Sequence, residues 1–218
     1  RSCRIFRHIS KVQHFFYRNS GHHECAQALV VAGAAVYKVS NSGLTALMLA
    51  CNHGHHECAQ ALIDAGAAVD VADRKRQTAL MVACNRGHRE CAQALIDAGA
   101  AVDMMNIGGW SALMRACIQG HHECAQALID AGAVVDKVNN DGRTALMWAC
   151  DSGHHECAQA SIGARANLEV TSRHGQHALM IACQSPPSSY PRSARQVRSR
   201  CVLALLDAMV PIREVGCH

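Results

Sequence analysis

The stretch that decides the fold is GHHECAQALIDAGA, which occupies residues 54–67. Near-copies of it begin at Gly21, Gly87, Gly120 and Gly153, so the pattern returns at one constant interval along the chain. A fixed period of this length is typical of proteins in which similar units stack in a row and each unit contacts its neighbours. The 218 residues are therefore predicted to form one elongated array rather than separate compact domains.

Residues 41–73 show the local structure predicted for each full unit. Thr45 is a suitable N-cap for a first helix from Ala46 to His53, and Gly54 allows the left-handed conformation that ends a helix. A second helix is predicted over residues 55–65, followed by an extended segment. Isolated helices shorter than about 12–15 residues are marginal in water, so both helices must bury an apolar face against neighbouring units.

The repeated pattern Gly-x-Thr-Ala-Leu-Met-x-Ala-Cys-x-x-Gly-His-x-Glu-Cys-Ala resembles the ankyrin repeat. In that family the first helix usually carries Thr-Pro-Leu-His-x-Ala. Here Ala replaces the Pro and Met replaces the His, as at Ala46 and Met48. The resemblance covers roughly residues 12–210. It implies an all-α fold, an ankyrin-type repeat solenoid of paired antiparallel helices with hairpin-like connecting loops.

The array divides into six units and a tail, and the two outer units are predicted to cap the stack. In the first unit, residues 12–18 stand in place of the expected first helix. The alternative is that this unit is an exposed docking site for a missing upstream domain. The predicted boundaries are 1–40 for a degenerate N-terminal capping repeat, 41–73, 74–106, 107–139 and 140–172 for ankyrin repeats, 173–210 for a C-terminal capping repeat, and 211–218 for the tail.

The repeat at 140–172 has a degraded second helix. Ser161 stands where the other repeats have leucine, and Arg165 stands where they have glycine. Losing one buried Leu costs roughly 2–5 kcal/mol in a packed core. This helix pair is therefore predicted to be the least stable part of the stack, with faster hydrogen exchange than residues 74–139.

The last unit contains an insertion between its two helices. The interval from Cys183 to Cys201 is much longer than the equivalent interval from Cys51 to Cys58 in a regular repeat, so residues 184–200 contain an 11-residue insertion. Its prolines and serines predict a loop. The Arg and Ser residues from 192 to 200 are interpreted as a solvated loop or, alternatively, as a basic peptide open to phosphorylation. A second helix is predicted over residues 201–208.

Ten of the 13 cysteines fall in two columns of the repeat. Packed helices lie about 8–10 Å apart, and a disulfide needs Cα atoms within about 7 Å. Cysteines of one column are therefore predicted to stay unpaired, reduced and buried, which favours a reducing compartment. A disulfide within one repeat is the alternative, for example between Cys51 and Cys58. The two columns are Cys25, Cys58, Cys91, Cys124, Cys157 and Cys51, Cys84, Cys117, Cys150, Cys183.

The net charge of +4 is unevenly distributed. Residues 41–172 carry nine Lys or Arg and fourteen acids, whereas residues 1–40 and 173–218 are basic. A mildly acidic body between basic ends is unlike the continuous basic face of a nucleic-acid-binding protein, so no nucleic-acid partner is predicted. The sequence has no uncharged apolar run of about 18 residues, so no membrane span is predicted. The first residues also lack the apolar run of a signal peptide.

Positions that differ between the repeats are not constrained by stacking and can carry recognition. They lie in the turn before each first helix and at one position within that helix. In the ankyrin family, the hairpin tips and first helices line the concave face that binds partners. Carried over to this sequence, that face includes Ser42, Leu44, Arg74, Lys75, Gln77, Trp110, Arg115, Asp141, Arg143, Trp148, His174 and Gln176.

Both tryptophans lie in this variable set. Because Trp and Arg dominate interface hot spots, the four Trp and Arg residues of the two central repeats are predicted to form one patch. These are Trp110, Arg115, Arg143 and Trp148. The alternative is that the first-helix position is buried between repeats, as Leu49, Val82, Trp148 and Ile181.

The His-His-Glu-Cys segment invites a metal-site interpretation. Zinc needs about four converging N or S ligands, but adjacent residues on a helix point about 100° apart, and Cys58 is predicted to face the core. No metal site and no cofactor are predicted, beyond adventitious metal binding by the column of His56. The sequence also lacks a phosphate-binding loop, a nucleophile elbow and a carboxylate pair, so the chain is not predicted to be an enzyme.

The predicted function is that of a scaffold for protein–protein interaction. The chain is expected to be monomeric and intracellular, in the cytoplasm, and to bind an unidentified partner protein through its concave face and hairpin tips. The alternative is a substrate-targeting arm of a larger protein, such as a ligase, kinase or zinc-finger protein, whose effector domain is absent. The first residue is Arg1 rather than Met, which predicts a fragment or a processed chain.

Overall fold

The computed structural model describes residues 35–184 and 192–209. Side chains are described in residues 35–184 and 199–209. Most of the predicted N-terminal unit therefore lies outside the described residues, as do the Pro-rich segment 185–191 and the tail.

The described residues form ten α-helices, arranged in pairs, and no β-strand. One isolated bridge joins Ala72 to Thr78. The predicted all-α architecture of helix pairs is confirmed. The helices are α1 (Ala46–His53), α2 (His56–Asp64), α3 (Ala79–Arg86), α4 (Arg89–Asp97), α5 (Ala112–Gln119), α6 (His122–Asp130), α7 (Ala145–Ser152), α8 (His155–Gly163), α9 (Ala178–Cys183) and α10 (Arg192–Met209).

The first helices begin and end at the residues that their local chemistry predicts. The hydroxyl of Thr45 accepts a hydrogen bond from the amide of Met48 at 3.1 Å. Gly54 ends α1 in the left-handed conformation with a φ of 72°. Both predictions are confirmed, and the next three repeats use the equivalent caps Thr78, Ser111 and Thr144.

The helices pack in two adjacent rows. The first helices α1, α3, α5, α7 and α9 lie side by side, and the second helices form the neighbouring row. The core between the rows consists mainly of Leu, Met, Ala and Cys side chains that recur in every repeat. Burial of these side chains stabilises helices that are too short to be stable alone.

The ten described cysteines are all free, and nine of them are buried. Cys183 is the exception, so its predicted burial is wrong. It lies on α9, and no further first helix covers α9 in the described residues. Met180 of the same helix is 50% exposed for the same reason, although the equivalent methionines of earlier repeats are buried.

Thiols from different columns meet between neighbouring repeats. The neighbouring thiol of Cys91, together with burial, raises the pKa of Cys51 well above its usual value. This thiol therefore stays protonated and unreactive. The spacing within a single column does not reveal such pairs, because their members belong to different columns and lie on different helices of different repeats. The same diagonal contact joins Cys84 to Cys124 and Cys117 to Cys157.

Ser161 replaces a core leucine in the second helix of the repeat at 140–172. Its side chain is buried, and its hydroxyl donates a hydrogen bond to the carbonyl of Cys157 at 2.9 Å. The hydroxyl is thus satisfied, but Ser161 buries much less apolar surface than Leu128, which occupies the same place in the preceding repeat.

This repeat also lacks a side-chain hydrogen bond of the earlier repeats and has a non-glycine residue in the left-handed conformation. In the three earlier repeats a Gln side chain on the second helix donates to an Asp four residues later, as Gln126 does to Asp130 at 2.8 Å. Gly163 occupies the Asp position here. Arg165, with a φ of 61°, adopts the left-handed conformation at the position of Gly132, which costs about 1–2 kcal/mol for a non-glycine residue.

Amide hydrogen exchange should accordingly be faster in α8 than in α6 or α4. Because α4 and α6 share the sequence ECAQALID, they serve as matched internal references. Exchange can be followed by mass spectrometry of peptic fragments. Slower exchange in α8 than in α6 would contradict the prediction that the 140–172 pair is the least stable.

The last helix is longer than predicted. It runs from Arg192 to Met209, so the interpretation of residues 192–200 as a loop is wrong. Residues 192–209 contain neither Gly nor Pro and carry several Arg, Ala and Leu residues, which favour helix. Pro191 immediately precedes it, a place where Pro is compatible with the start of a helix.

Candidate partner-binding surface

Each hairpin tip is held by the side chain that precedes it. The Oδ1 atom of Asp73 accepts hydrogen bonds from the amides of Lys75 at 2.8 Å and Gln77 at 2.7 Å. These bonds satisfy tip amides and fix the conformation of the turn. The same role falls to Asn106, Asn139 and Ser172 in the following repeats.

Backbone hydrogen bonds join neighbouring tips. The amide of Ile107 donates to the carbonyl of Lys75 at 3.1 Å. Equivalent bonds join the other described tips, so the tips form a continuous row. A row of this kind loses little freedom on binding, which favours affinity. The other bonds run from Arg74 to Ser42 at 3.4 Å, from Asn140 to Gly108 at 3.2 Å and from Arg173 to Asp141 at 2.9 Å.

Two tryptophans and two arginines form a stacked cluster, named here the Trp–Arg cluster. The ring centroids of Trp110 and Trp148 lie 4.7 Å apart with an interplanar angle of 34°. The Cζ atom of Arg115 lies 4.6 Å from the centroid of Trp110, and that of Arg143 lies 4.7 Å from the centroid of Trp148. These distances are typical of cation–π contacts. The structure thus brings four of the predicted surface residues together.

The two arginines of the cluster differ in their partners. Arg143 forms a salt bridge with Asp151 at 2.9 Å, whereas Arg115 has no carboxylate within salt-bridge distance in the described part of the chain. Burial lowers the pKa of Arg115, although a guanidinium remains charged in proteins. Arg115 is therefore a partly desolvated cation that an approaching carboxylate would stabilise.

The indole N–H of Trp148 is buried and has no acceptor among the described residues. A buried donor without a partner costs about 1–3 kcal/mol. The cluster therefore contains a cation without a carboxylate partner, which a carboxylate of another molecule can pair with, and a buried donor that is closed to solvent.

None of the twelve predicted surface residues is buried. The alternative, that the first-helix position is buried between repeats, is correct for Leu49 and Ile181. Val82 at the same position is only partly buried. The role of the twelve in binding stays a prediction. Those that are exposed are Ser42, Arg74, Lys75, Asp141 and His174, and those that are partly buried are Leu44, Gln77, Trp110, Arg115, Arg143, Trp148 and Gln176.

Arg76 is a surface residue that the sequence prediction missed. Its φ of 59° lies in the left-handed region, where the equivalent residues of the other tips are all glycine. A non-glycine residue there costs about 1–2 kcal/mol. The signal was present in the aligned tips, where Arg76 stands in a column made up of Gly43, Gly109, Gly142 and Gly175.

Comparison with protein families agrees with this architecture. A family model for ankyrin repeats in three copies matches residues 14–106, 98–171 and 137–208. The chain belongs to the ankyrin-repeat family. Ankyrin repeats are generally protein–protein interaction modules and typically non-enzymatic scaffolds. Comparison with curated proteins gives no match.

No described helix combines the length and the apolar character needed to cross a membrane. Within residues 35–184 and 199–209, no three His, Cys, Asp or Glu side chains are placed to share a metal ion.

The Gly-His pair after each first helix packs neighbouring ankyrin repeats against each other. A Cβ atom placed on Gly87 would lie 2.5 Å from Nδ1 of His121. Each imidazole thus rests directly on the glycine of the preceding repeat, which requires a residue without a side chain. The same relation joins Gly54 to His88 and Gly120 to His154.

Burial lowers the pKa of His121 and His154 below the usual 6.5, with a smaller opposing effect from a backbone hydrogen bond. The unfolded chain has the usual pKa, so it binds more protons than the folded chain once the pH falls below about 6.5. The stability due to these neutral imidazoles is therefore complete above that pH. It is lost as the pH falls toward the lower pKa of the folded state.

The urea midpoint of the chain should consequently fall between pH 7.5 and pH 5.0, and His154→Gln should make that fall smaller. Circular dichroism in urea at the two pH values measures the difference for each variant. His122 is exposed, so His122→Gln is the matched control and should show the wild-type fall. An identical fall in His154→Gln and the wild type would show that this imidazole does not contribute.

Proposed function

We propose that this ankyrin-repeat chain binds an extended segment of a partner protein along the row of tips and first helices, with the Trp–Arg cluster as its anchor. The observation that supports this proposal most strongly is the stacked arrangement of Trp110 and Trp148 between Arg115 and Arg143. Trp and Arg are the residues most enriched in interface hot spots, and here both types are only partly buried.

The surroundings of the cluster support this function. The tips are connected by backbone hydrogen bonds, so the surface is formed before binding. Arg115 stacks on Trp110 but has no carboxylate within salt-bridge distance among the described residues. An extended peptide offers side-chain carboxylates, which are the acceptors that the guanidinium of Arg115 needs.

A displayed library of random 12-residue peptides tests the proposal. The wild-type chain should select peptides that the Trp110→Ala/Arg143→Ala double variant does not bind. For a selected peptide, Trp110→Ala should weaken binding about 30-fold or more, the loss expected at a hot spot of about 2 kcal/mol. Fluorescence anisotropy of the labelled synthetic peptide measures the dissociation constant.

Two controls accompany this experiment. Tyr37→Ala removes an exposed aromatic side chain that is not part of the cluster and should leave binding unchanged. Arg115→Gln leaves the indole pair in place and should still weaken binding, which keeps the test valid if Trp110→Ala loses helix content. If no library peptide distinguishes the wild type from the double variant, the row of tips and first helices does not bind extended segments through the Trp–Arg cluster and the proposal is wrong.

We also propose an intracellular location, in the cytoplasm. The support is chemical: the ten described cysteines are free thiols, and free thiols persist in reducing compartments.

A further inference from the structure

We propose that the partner segment is acidic and that it lies across a basic tip formed by Arg74, Lys75 and Arg76, named here the cationic tip. This inference rests on the proposed function and adds the chemistry of the partner. All three side chains are exposed. None of them has a carboxylate within salt-bridge distance in the described residues.

The cationic tip differs from the other cations of the stack, several of which are already paired. Arg143 lies 2.9 Å from Asp151, and longer pairs of 3.9 Å join Arg89 to Glu123 and Lys137 to Asp103. Asp73, the acid next to the tip, is engaged by the amides of Lys75 and Gln77. The cationic tip is therefore a local region of unpaired positive charge, whereas residues 41–172 as a whole carry a net negative charge.

The backbone at Arg76 supports a functional role for this charge. The other four described tips use glycine at this position with φ values between 69° and 84°, and Arg76 adopts the same left-handed conformation at 59°. Glycine would therefore fit the turn better than Arg76 does. Non-glycine residues in an unfavourable backbone conformation are found most often at functional sites, so Arg76 is a candidate for binding.

The cationic tip continues into the Trp–Arg cluster of the next repeat. Lys75 is bonded through its carbonyl to Ile107, which is 62% exposed, and Ile107 precedes Trp110 on the same tip. Neighbouring repeats lie about 10 Å apart, and an extended chain rises about 3.3 Å per residue. A segment that crosses both tips should therefore carry its acidic residues about three positions from an apolar residue, with a further carboxylate near Arg115.

The charge pattern favours a peptide over a nucleic acid. A nucleic acid needs cations that follow its phosphates over several repeats. Here the next tips carry no unpaired run of cations: residues 107–110 are uncharged, and Asp141 and Asp151 follow in the next repeat. One basic tip beside an apolar and aromatic surface matches a short acidic segment with one apolar residue.

The peptides selected by the wild-type chain provide the test. They should be enriched in Asp and Glu, with an apolar residue about three positions away. For a labelled selected peptide, Arg76→Gly should weaken binding about two- to five-fold, as expected for the loss of one exposed ion pair. The same variant should raise the urea midpoint, because glycine fits the turn better. A residue with only a structural role would not show these two opposite effects.

Arg89→Gln is the matched control, because it removes one positive charge from the same repeat but on α4, and it should leave peptide binding unchanged. If the selected peptides are not acidic, or if Arg76→Gly binds them as well as the wild type does, the acidic-partner inference is wrong while the proposed function stands. If no peptide is selected, the proposed function fails first. If a labelled 12-nucleotide oligothymidylate binds more tightly than the peptides at equal salt and depends on Arg76, the tip binds nucleic acid and the inference is overturned.

Discussion

Leu128→Ala is expected to lower the free energy of unfolding by about 2–5 kcal/mol, the range found when a buried leucine is truncated in a packed core. Leu128 has no exposed surface and lies on α6, in the centre of the described stack. It forms part of the core between the two rows of helices. In a repeat stack the stability of each unit depends on its two interfaces, so this change weakens the contacts of α6 with both α4 and α8. Urea unfolding followed by circular dichroism measures the loss.

Ser161→Ala provides the matched control, because Ser161 occupies the same position one repeat later. It removes a hydroxyl that donates to the carbonyl of Cys157, a carbonyl within a helix, and no apolar atoms are lost. The expected change is at most about 1 kcal/mol. A loss below about 1 kcal/mol for Leu128→Ala would mean that this column of the core is loosely packed, contrary to its complete burial.

Gly87→Ala is expected to destabilise the stack by about 2–5 kcal/mol through two separate effects. The φ of 76° at Gly87 is unfavourable for alanine by about 1–2 kcal/mol. The new Cβ would also lie 2.5 Å from Nδ1 of His121, and overpacking of this kind costs about 1–3 kcal/mol.

Gly99→Ala separates these two effects. Gly99 has a similar φ of 81°, but a Cβ there would meet no atom within 4 Å. It should lose only the backbone part, about 1–2 kcal/mol. Equal losses in the two variants, measured by urea unfolding, would show that His121 moves away at no cost. In the double variant Gly87→Ala/His121→Ala, the clash should disappear and the two changes should be less than additive.

The His-His-Glu-Cys segment, which first suggests a metal site, contributes the contact between His121 and Gly87. Its His, Glu and Cys residues recur because the stack needs the same contacts in every repeat. The imidazole covers the glycine of the preceding repeat, and the cysteine lies in the core. Recognition is proposed for the residues that differ between repeats, above all the Trp–Arg cluster and the cationic tip.

Much of the fold could be predicted from the amino-acid sequence, namely the helix pairs, their caps and the family. Thr45 and Gly54 act on backbone groups within a few residues of themselves, so their effects can be deduced from short segments. The twelve surface positions were likewise identified from differences between repeats. Arg76 was missed, although it stands in a tip column that is glycine in the other repeats.

Direct contacts between side chains of different repeats became evident in the folded structure. The sequence predicted one patch for Trp110 and Trp148, but their ring contact joins different positions of two repeats and does not follow from the period. The same holds for the contact between Cys51 and Cys91. Their contact depends on how each repeat is shifted and rotated relative to the next. The exposure of Cys183 depends on the end of the stack in the same way. These features are set by packing between units, because local propensities do not specify the orientation of one helix pair on another.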